Sequence, residues 1–241
     1  MDCYTYLLIN LLTLSIPLFR SFEPRIAFYT KWKAWLPAIL VTSTFFVVWD
    51  SWFTHWQVWG FNERYLLGIY LWELPLEEIC FFVAIPYACL FLYETVQLFR
   101  GSDFLAPYQY VLTVLLVAGL GLLGLTHLHR SYTATTCLLT AALLALHGFY
   151  WQSRYLGRFY LAYLVMLIPF FVVNGVLTGT WLEEAVVWYN DEANLGVRCG
   201  TIPVEDIAYG MLLILMNLTI YQANLPHSPT EQPPQAPATA N

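Results

Sequence analysis

The sequence predicts an all-α integral membrane bundle of about seven transmembrane helices, arranged as two parallel pseudo-repeats. Three observations predict it. The 241 residues are 59% apolar and 11% charged, against about 25% charged in a typical soluble domain, so polar surface is too scarce to cover a water-soluble fold. Apolar stretches of the spanning length, about 20 residues, recur along the chain. A short acidic motif occurs twice, as Pro75-Leu76-Glu77-Glu78 and as Pro203-Val204-Glu205-Asp206, each time opening such a stretch. The net charge of −6 leaves no basic stripe to neutralise phosphates, so no nucleic-acid partner is expected. Five scattered cysteines without a CxxC pair give neither a disulfide framework nor a zinc site.

The spans are expected near residues 3–19, 34–54, 75–98, 107–126, 132–151, 159–178 and 204–222. The N-terminal run lacks a basic leader and a small-residue cleavage site, and reads as a retained first helix. Arg20, Arg25, Lys31, Lys33, Arg100, Arg154 and Arg158 fall in the odd-numbered loops, and only Arg64, Arg130 and Arg198 in the even-numbered ones. By the positive-inside rule this sets a multi-pass cell-membrane protein with its N-terminus outside and its C-terminus cytoplasmic. Residues 223–241, rich in Pro, Thr and Gln, cannot bury enough apolar surface to order and are expected to form a disordered tail.

The repeat follows from paired motifs. Phe46-Val47-Val48-Trp49-Asp50 precedes Pro75 by a similar distance as Phe171-Val172-Val173-Asn174-Gly175 precedes Pro203. Residues 1–106 therefore form a first unit of three spans, and 107–222 a linking span followed by a second unit of three. The extra span restores direction, so the halves run parallel about an axis along the membrane normal. Both acidic motifs then lie on one side. Asp50 and Asn174 come to similar depth, which points to one shared cavity between the halves.

A carboxylate at the centre of a bilayer costs roughly 2.5–3.5 kcal/mol even on mild insertion scales, so four clustered at helix starts point to chemistry. Proline is tolerated in a first helical turn, where its missing N–H would be unpaired anyway, so Pro75 and Pro203 read as helix starts. The helix dipole favours an anion there by about 0.3–1 kcal/mol. Desolvation in a dry pocket opposes it by several kcal/mol and outweighs it. One carboxyl of each pair is then expected to serve as a general acid, with its ionised neighbour as base or cation stabiliser. The plainer reading makes these acids dipole-capping residues at the interface. Because adjacent helical residues point about 100° apart, only one of each pair is expected to face a cavity.

Aromatic residues make up 18% of the chain. Most suit an interfacial belt. Trp49, Trp52, Tyr70 and Trp72 flank the acids and are the candidates for stabilising a carbocation through their ring faces. Gly119-Leu120-Gly121-Leu122-Leu123-Gly124 matches a dinucleotide fingerprint in letters only, since it lies within an apolar span and follows no strand. It suits helix packing instead. The five histidines form no metal-binding spacing. Asn190-Asp191-Glu192-Ala193-Asn194 is similar to the start of a prenyltransferase magnesium motif, with Asn194 in place of the second acid. Glu183 and Glu184 read as a solvated loop face.

Together the two acidic motifs, the run into Trp49-Asp50 and the segment Asn174-Gly175-Val176-Leu177-Thr178-Gly179 resemble the membrane lycopene cyclases of the heterodimeric type, with the two small subunits fused in one chain. The resemblance covers nearly all of residues 3–222. It implies acid-catalysed closure of the acyclic ends of lycopene into β-ionone rings, through γ-carotene to β-carotene, with no cofactor and no net redox change. Glu77, Glu78, Glu205 and Asp206 become the catalytic candidates, with Asp50, Asn174, Trp49, Trp52, Tyr70 and Trp72 as substrate-binding candidates. Lycopene is expected to arrive from the lipid phase, and association with other carotenoid-pathway enzymes is expected. The alternatives are a cyclase making ε-rings or C50 carotenoids, and a proton-coupled membrane transporter, for which parallel repeats and intramembrane acids are also suited.

Overall fold

In lipid every backbone N–H and C=O must be paired internally, and an apolar chain of this kind meets that demand with helices. The structure, a computed structural model, describes residues 2–100 and 103–226. It contains α1 (Thr5–Arg20), α2 (Trp32–His55), the strands β1 (Trp59–Phe61), β2 (Tyr70–Leu71) and β3 (Leu74–Pro75), then α3 (Leu76–Arg100), α4 (Gln109–Thr126) and α5 (Ser131–Ala145). There follow α6 (Leu156–Leu177), β4 (Val187–Tyr189), β5 (Arg198–Cys199), β6 (Ile202–Pro203) and α7 (Glu205–Asn224). All seven helical segments are long and apolar enough to cross a membrane. The fifth is completed by a π-helical turn, Leu146–Tyr150, where His147 lies between the hydroxyls of Ser153 and Thr219, each 2.8 Å away. The last helix runs two residues beyond the expected 222, and most of the expected disordered tail, 227–241, lies outside the described residues.

The strands all lie at one end of the bundle and obey the repeat. The hairpin β2–β3 pairs Tyr70 with Pro75, and the hairpin β5–β6 pairs Arg198 with Pro203 in the same register. Each hairpin tip needs a left-handed residue, Trp72 in the first (φ 54°) and Gly200 in the second (φ 69°). Pro75 and Pro203 close the hairpins and do not occupy the first helical turn as expected. Their extended neighbours force this: α3 begins at Leu76 and α7 at Glu205.

Between the halves, β1 and β4 form an antiparallel ribbon with Gly60 opposite Trp188 at its centre. The flanking bonds are matched, Asn62 N–H to the Val186 carbonyl (2.8 Å) and Asn190 N–H to the Val58 carbonyl (2.9 Å). A local two-fold axis passes through the centre of this ribbon. The same end holds the starts of α1, α3, α5 and α7 and the finishes of α2 and α6. The halves therefore run parallel, as the motif order implies. Arg64 and Glu183 (2.7 Å) and Asn62 and Glu184 (2.7 Å) add exposed bridges across the ribbon, pairs of a kind worth at most about 1 kcal/mol each.

Helices α2, α3, α5 and α7 form the packed centre, and α1 and α4 lie on the periphery. Gly124 of α4 permits close approach to α5, since a Cβ there would meet Leu138 at 2.8 Å, whereas Gly119 and Gly121 face open space. The letter-match to a nucleotide fingerprint is therefore partly a helix contact and partly lipid-facing surface.

Candidate active site

Helix phase divides each acidic pair. At the first residue of the two motifs, Glu77 Oε1 accepts the Leu67 N–H (2.7 Å) and Glu205 Oε1 accepts the Leu195 N–H (2.7 Å). Both side chains are buried, and Thr133 also donates to Glu205 (2.6 Å). These two glutamates tie the loops that lead into the hairpins to the helix starts. The second residues, Glu78 and Asp206, turn to the other side and line a common cavity of about 580 Å³ with Asp50 and Asn174.

Three buried carboxyls thus meet at one end of the cavity, each held by phenols. Tyr6 donates to Glu78 Oε2 (2.5 Å), and Tyr209 donates to Asp50 Oδ1 (2.6 Å). Asp206 accepts from both Tyr132 and Tyr189, the latter at 2.9 Å. Asp50 and Glu78 line the same cavity, and two carboxyls brought together in a dry site favour holding one proton between them. Asp206 has both oxygens occupied as acceptors, which suits a carboxylate. Tyr189 lies outside the spanning helices. Its burial, reinforced by the Asp206 charge, holds its phenol well above the ordinary tyrosine range, so it remains a donor.

Rings close around the acids. Trp59 lies 5.1 Å from Tyr132 and 6.2 Å from Tyr209, and Tyr132 stacks on Tyr189 at 5.9 Å between centroids. Phe61 of the ribbon and Phe81 of α3 line the same chamber. Faces of this kind stabilise a cation by about 0.5–2 kcal/mol each.

The sequence candidates distribute unevenly around this centre. Glu78, Asp206, Asp50 and Asn174 come together, and Glu77 and Glu205 do not enter the cavity. Trp49 is buried behind Tyr209 (5.4 Å) and supports the chamber from outside. Trp52, Tyr70 and Trp72 are exposed, Trp52 stacked on Trp56 and the other two carried outward by the first hairpin. They face away because a hairpin and a helix end separate them from the acids that they adjoin in sequence. Tyr6, Tyr132, Tyr189, Tyr209 and Trp59 were not singled out from sequence. Tyr6 and Tyr132 occupy matching places in the first turns of α1 and α5, so aligning the repeats reveals that pair. The segment Asn190–Asn194 is a structural turn: Asn194 caps Gly196 N–H (2.6 Å), Arg198 pairs with Asp191 (2.5 Å), and Arg130 binds the Asp191 carbonyl (3.0 Å).

A seven-helix membrane protein with an acid cluster at the end of an apolar chamber is the class that fold and site define. The family model for lycopene cyclase matches residues 3–96 and 129–223. The chain belongs to the lycopene cyclase family. The two matched segments are the two three-helix halves, and α4 lies between them. A search of curated proteins and one of solved structures found no match.

Proposed function

We propose that the chain is a lycopene β-cyclase, converting lycopene through γ-carotene to β-carotene by acid catalysis at a single cluster made of Asp50, Glu78 and Asp206. The observation that carries this reading is the meeting of three buried carboxyls inside an aromatic chamber that opens into an apolar cavity. The shared proton of the Asp50–Glu78 pair adds to the terminal double bond of an acyclic end, leaving a tertiary cation. An internal double bond attacks that cation and closes the six-membered ring. Asp206 then removes a ring proton to restore an alkene, and that proton returns across the cluster to Asp50–Glu78. One proton enters and one leaves, so product and substrate are isomers and no electron is exchanged. The β-ring assignment rests on the resemblance described above. The aromatic walls hold the cation away from water.

Lycopene is taken from the lipid phase. The positive-inside count supports an N-terminus outside, with the acid cluster toward the outer face of the cell membrane. Tyr6, Tyr132, Tyr189 and Tyr209 act as positioning residues that fix the carboxyl rotamers.

Expression in a lycopene-accumulating bacterial host, with pigments separated by chromatography and weighed by mass spectrometry, tests the reading. An isobaric bicyclic product, lost in Glu78→Gln and in Asp206→Asn, is the expected result. A bicyclic ε-ring product or one heavier than lycopene overturns the β assignment. Unchanged lycopene with the protein verified in the membrane overturns cyclisation of this substrate.

A further inference from the structure

The halves differ most beside the cavity. In the first half, Phe82 of α3 is fully buried, 5.8 Å from Phe46 of α2, and Ser43 of α2 donates to the Phe82 carbonyl (2.7 Å). Helix α2 therefore lies flush against α3. The hairpin registers match Phe82 with Gly210 of α7, where a Cβ would first meet the Tyr163 hydroxyl (3.2 Å) and then the Phe170 ring (3.7 Å). Aligning Asp50 with Asn174 matches buried Trp49 with Val173, which lines the cavity. Two large rings that fill one half are thus a glycine and a valine in the other. The space they vacate borders the cavity. The cavity follows α6 from Leu177 to Tyr163, about 20 Å at 1.5 Å per residue.

This space is closed at the acid end and open at the side. Trp59, Phe61 and Val187 of the ribbon roof it. Leu12 and Ile16 of α1 and Val172 of α6 line it while remaining 70%, 70% and 52% exposed, so the wall between α1 and α6 is a slit toward lipid. Pro17 and Pro169 also border the slit, and each removes a hydrogen bond from the ladder of its helix.

We infer that each chain has one lateral channel, entered between α1 and α6, which admits one end of a linear polyene isoprenoid at a time. The substrate is then released and reversed before its second end is closed. This rests on the proposed cyclase reading for the identity of the chain that enters. The filled counterpart at Phe82 and Trp49 is what excludes a second end from being processed simultaneously in the other half.

The test separates binding from turnover. Glu78→Gln protein in phosphatidylcholine nanodiscs is titrated with lycopene, read by the induced circular dichroism of the polyene. Gly210→Phe, which restores the ring present in the first half, and the mouth variants Ile16→Trp and Val172→Trp are added to that background. Each is expected to weaken binding by about tenfold or more. Ile168→Trp, exposed on α6 but outside the cavity, is expected to leave it unchanged. Equal binding in Gly210→Phe and both mouth variants overturns the channel, even where the parent cyclises lycopene. Channel-dependent binding with no turnover by the unmodified protein supports the channel and overturns the cyclase reading. In turnover, unlabelled monocyclic product added during the reaction is expected to dilute label in the bicyclic product. Undiluted bicyclic product overturns release and reversal.

Discussion

The two halves share a scaffold to the level of hairpin register, loop latch and phenol–carboxyl bond, yet they differ in the side chains that border the cavity. The first half brings Asp50 and Glu78 together; the second has Asn174 at the matching depth and leaves Asp206 to two phenols. The first half fills its inner space with Trp49 and Phe82; the second leaves Val173 and Gly210. The frame is thus repeated, and differences at a few positions make one asymmetric site within it. In the proposed reaction the same asymmetry divides acid from base, because two neighbouring carboxyls and a lone one held by two phenols are chemically different.

That contrast can be broken most severely at the acids. Glu78→Gln and Asp206→Asn remove the groups proposed to give and take the proton. Each is expected to lower cyclisation by about 10²–10⁴-fold, the usual contribution of a positioned acid or base, measured as product formed per verified membrane-embedded protein. Asp50→Asn turns the first half into a copy of the second at this depth and is expected to cost about 10²-fold. The exchange Asp50→Asn with Asn174→Asp should not restore activity, since the Tyr209 hydroxyl that holds Asp50 is matched in the repeat by Phe81, a ring with no hydroxyl to hold an acid at 174. Recovery of activity by the exchange would show that the halves are interchangeable.

The loop latch is where the halves are most alike, so its two variants should behave alike. Glu77→Ala and Glu205→Ala each strand a buried loop N–H, a loss of about 1–3 kcal/mol, read as a lower melting temperature in detergent. Glu77→Gln and Glu205→Gln keep the accepting oxygen and should retain most stability and activity. The smallest effects belong to the outer aromatics. Trp52→Ala and Trp72→Ala should change cyclisation by less than about twofold, because surface changes away from special features stay within about 0.5 kcal/mol.

Much of this architecture was legible in the sequence. Hydropathy placed seven spans within a few residues, because lipid leaves the backbone no alternative to helices over such stretches. The acidic motifs and Asp50 with Asn174 were legible because charge and amide are rare inside a membrane. Which acid of each pair faces inward was not, since it depends on where the helix begins after the hairpin, and Pro75 and Pro203 close strands. The phenols were hidden by distance along the chain. Tyr6 reaches Glu78, and Tyr132 reaches Asp206, only through helix packing. Nearness in sequence misdirected the choice of Trp52, Tyr70 and Trp72, which the hairpin and the end of α2 turn toward the exterior.

At the middle of the ribbon, Gly60 faces Trp188, and a Cβ on Gly60 would stand 2.3 Å from the indole. Directly opposed residues in an antiparallel pair share one face, so this spot has room for a single large side chain. Two copies of the second half would set tryptophan against tryptophan there, and two copies of the first would leave a gap. The junction therefore carries a key and a keyhole, and it discriminates between unlike and like pairing. A chain cut within the 127–130 turn after α4 should reassemble as one of each half and not as either half with itself.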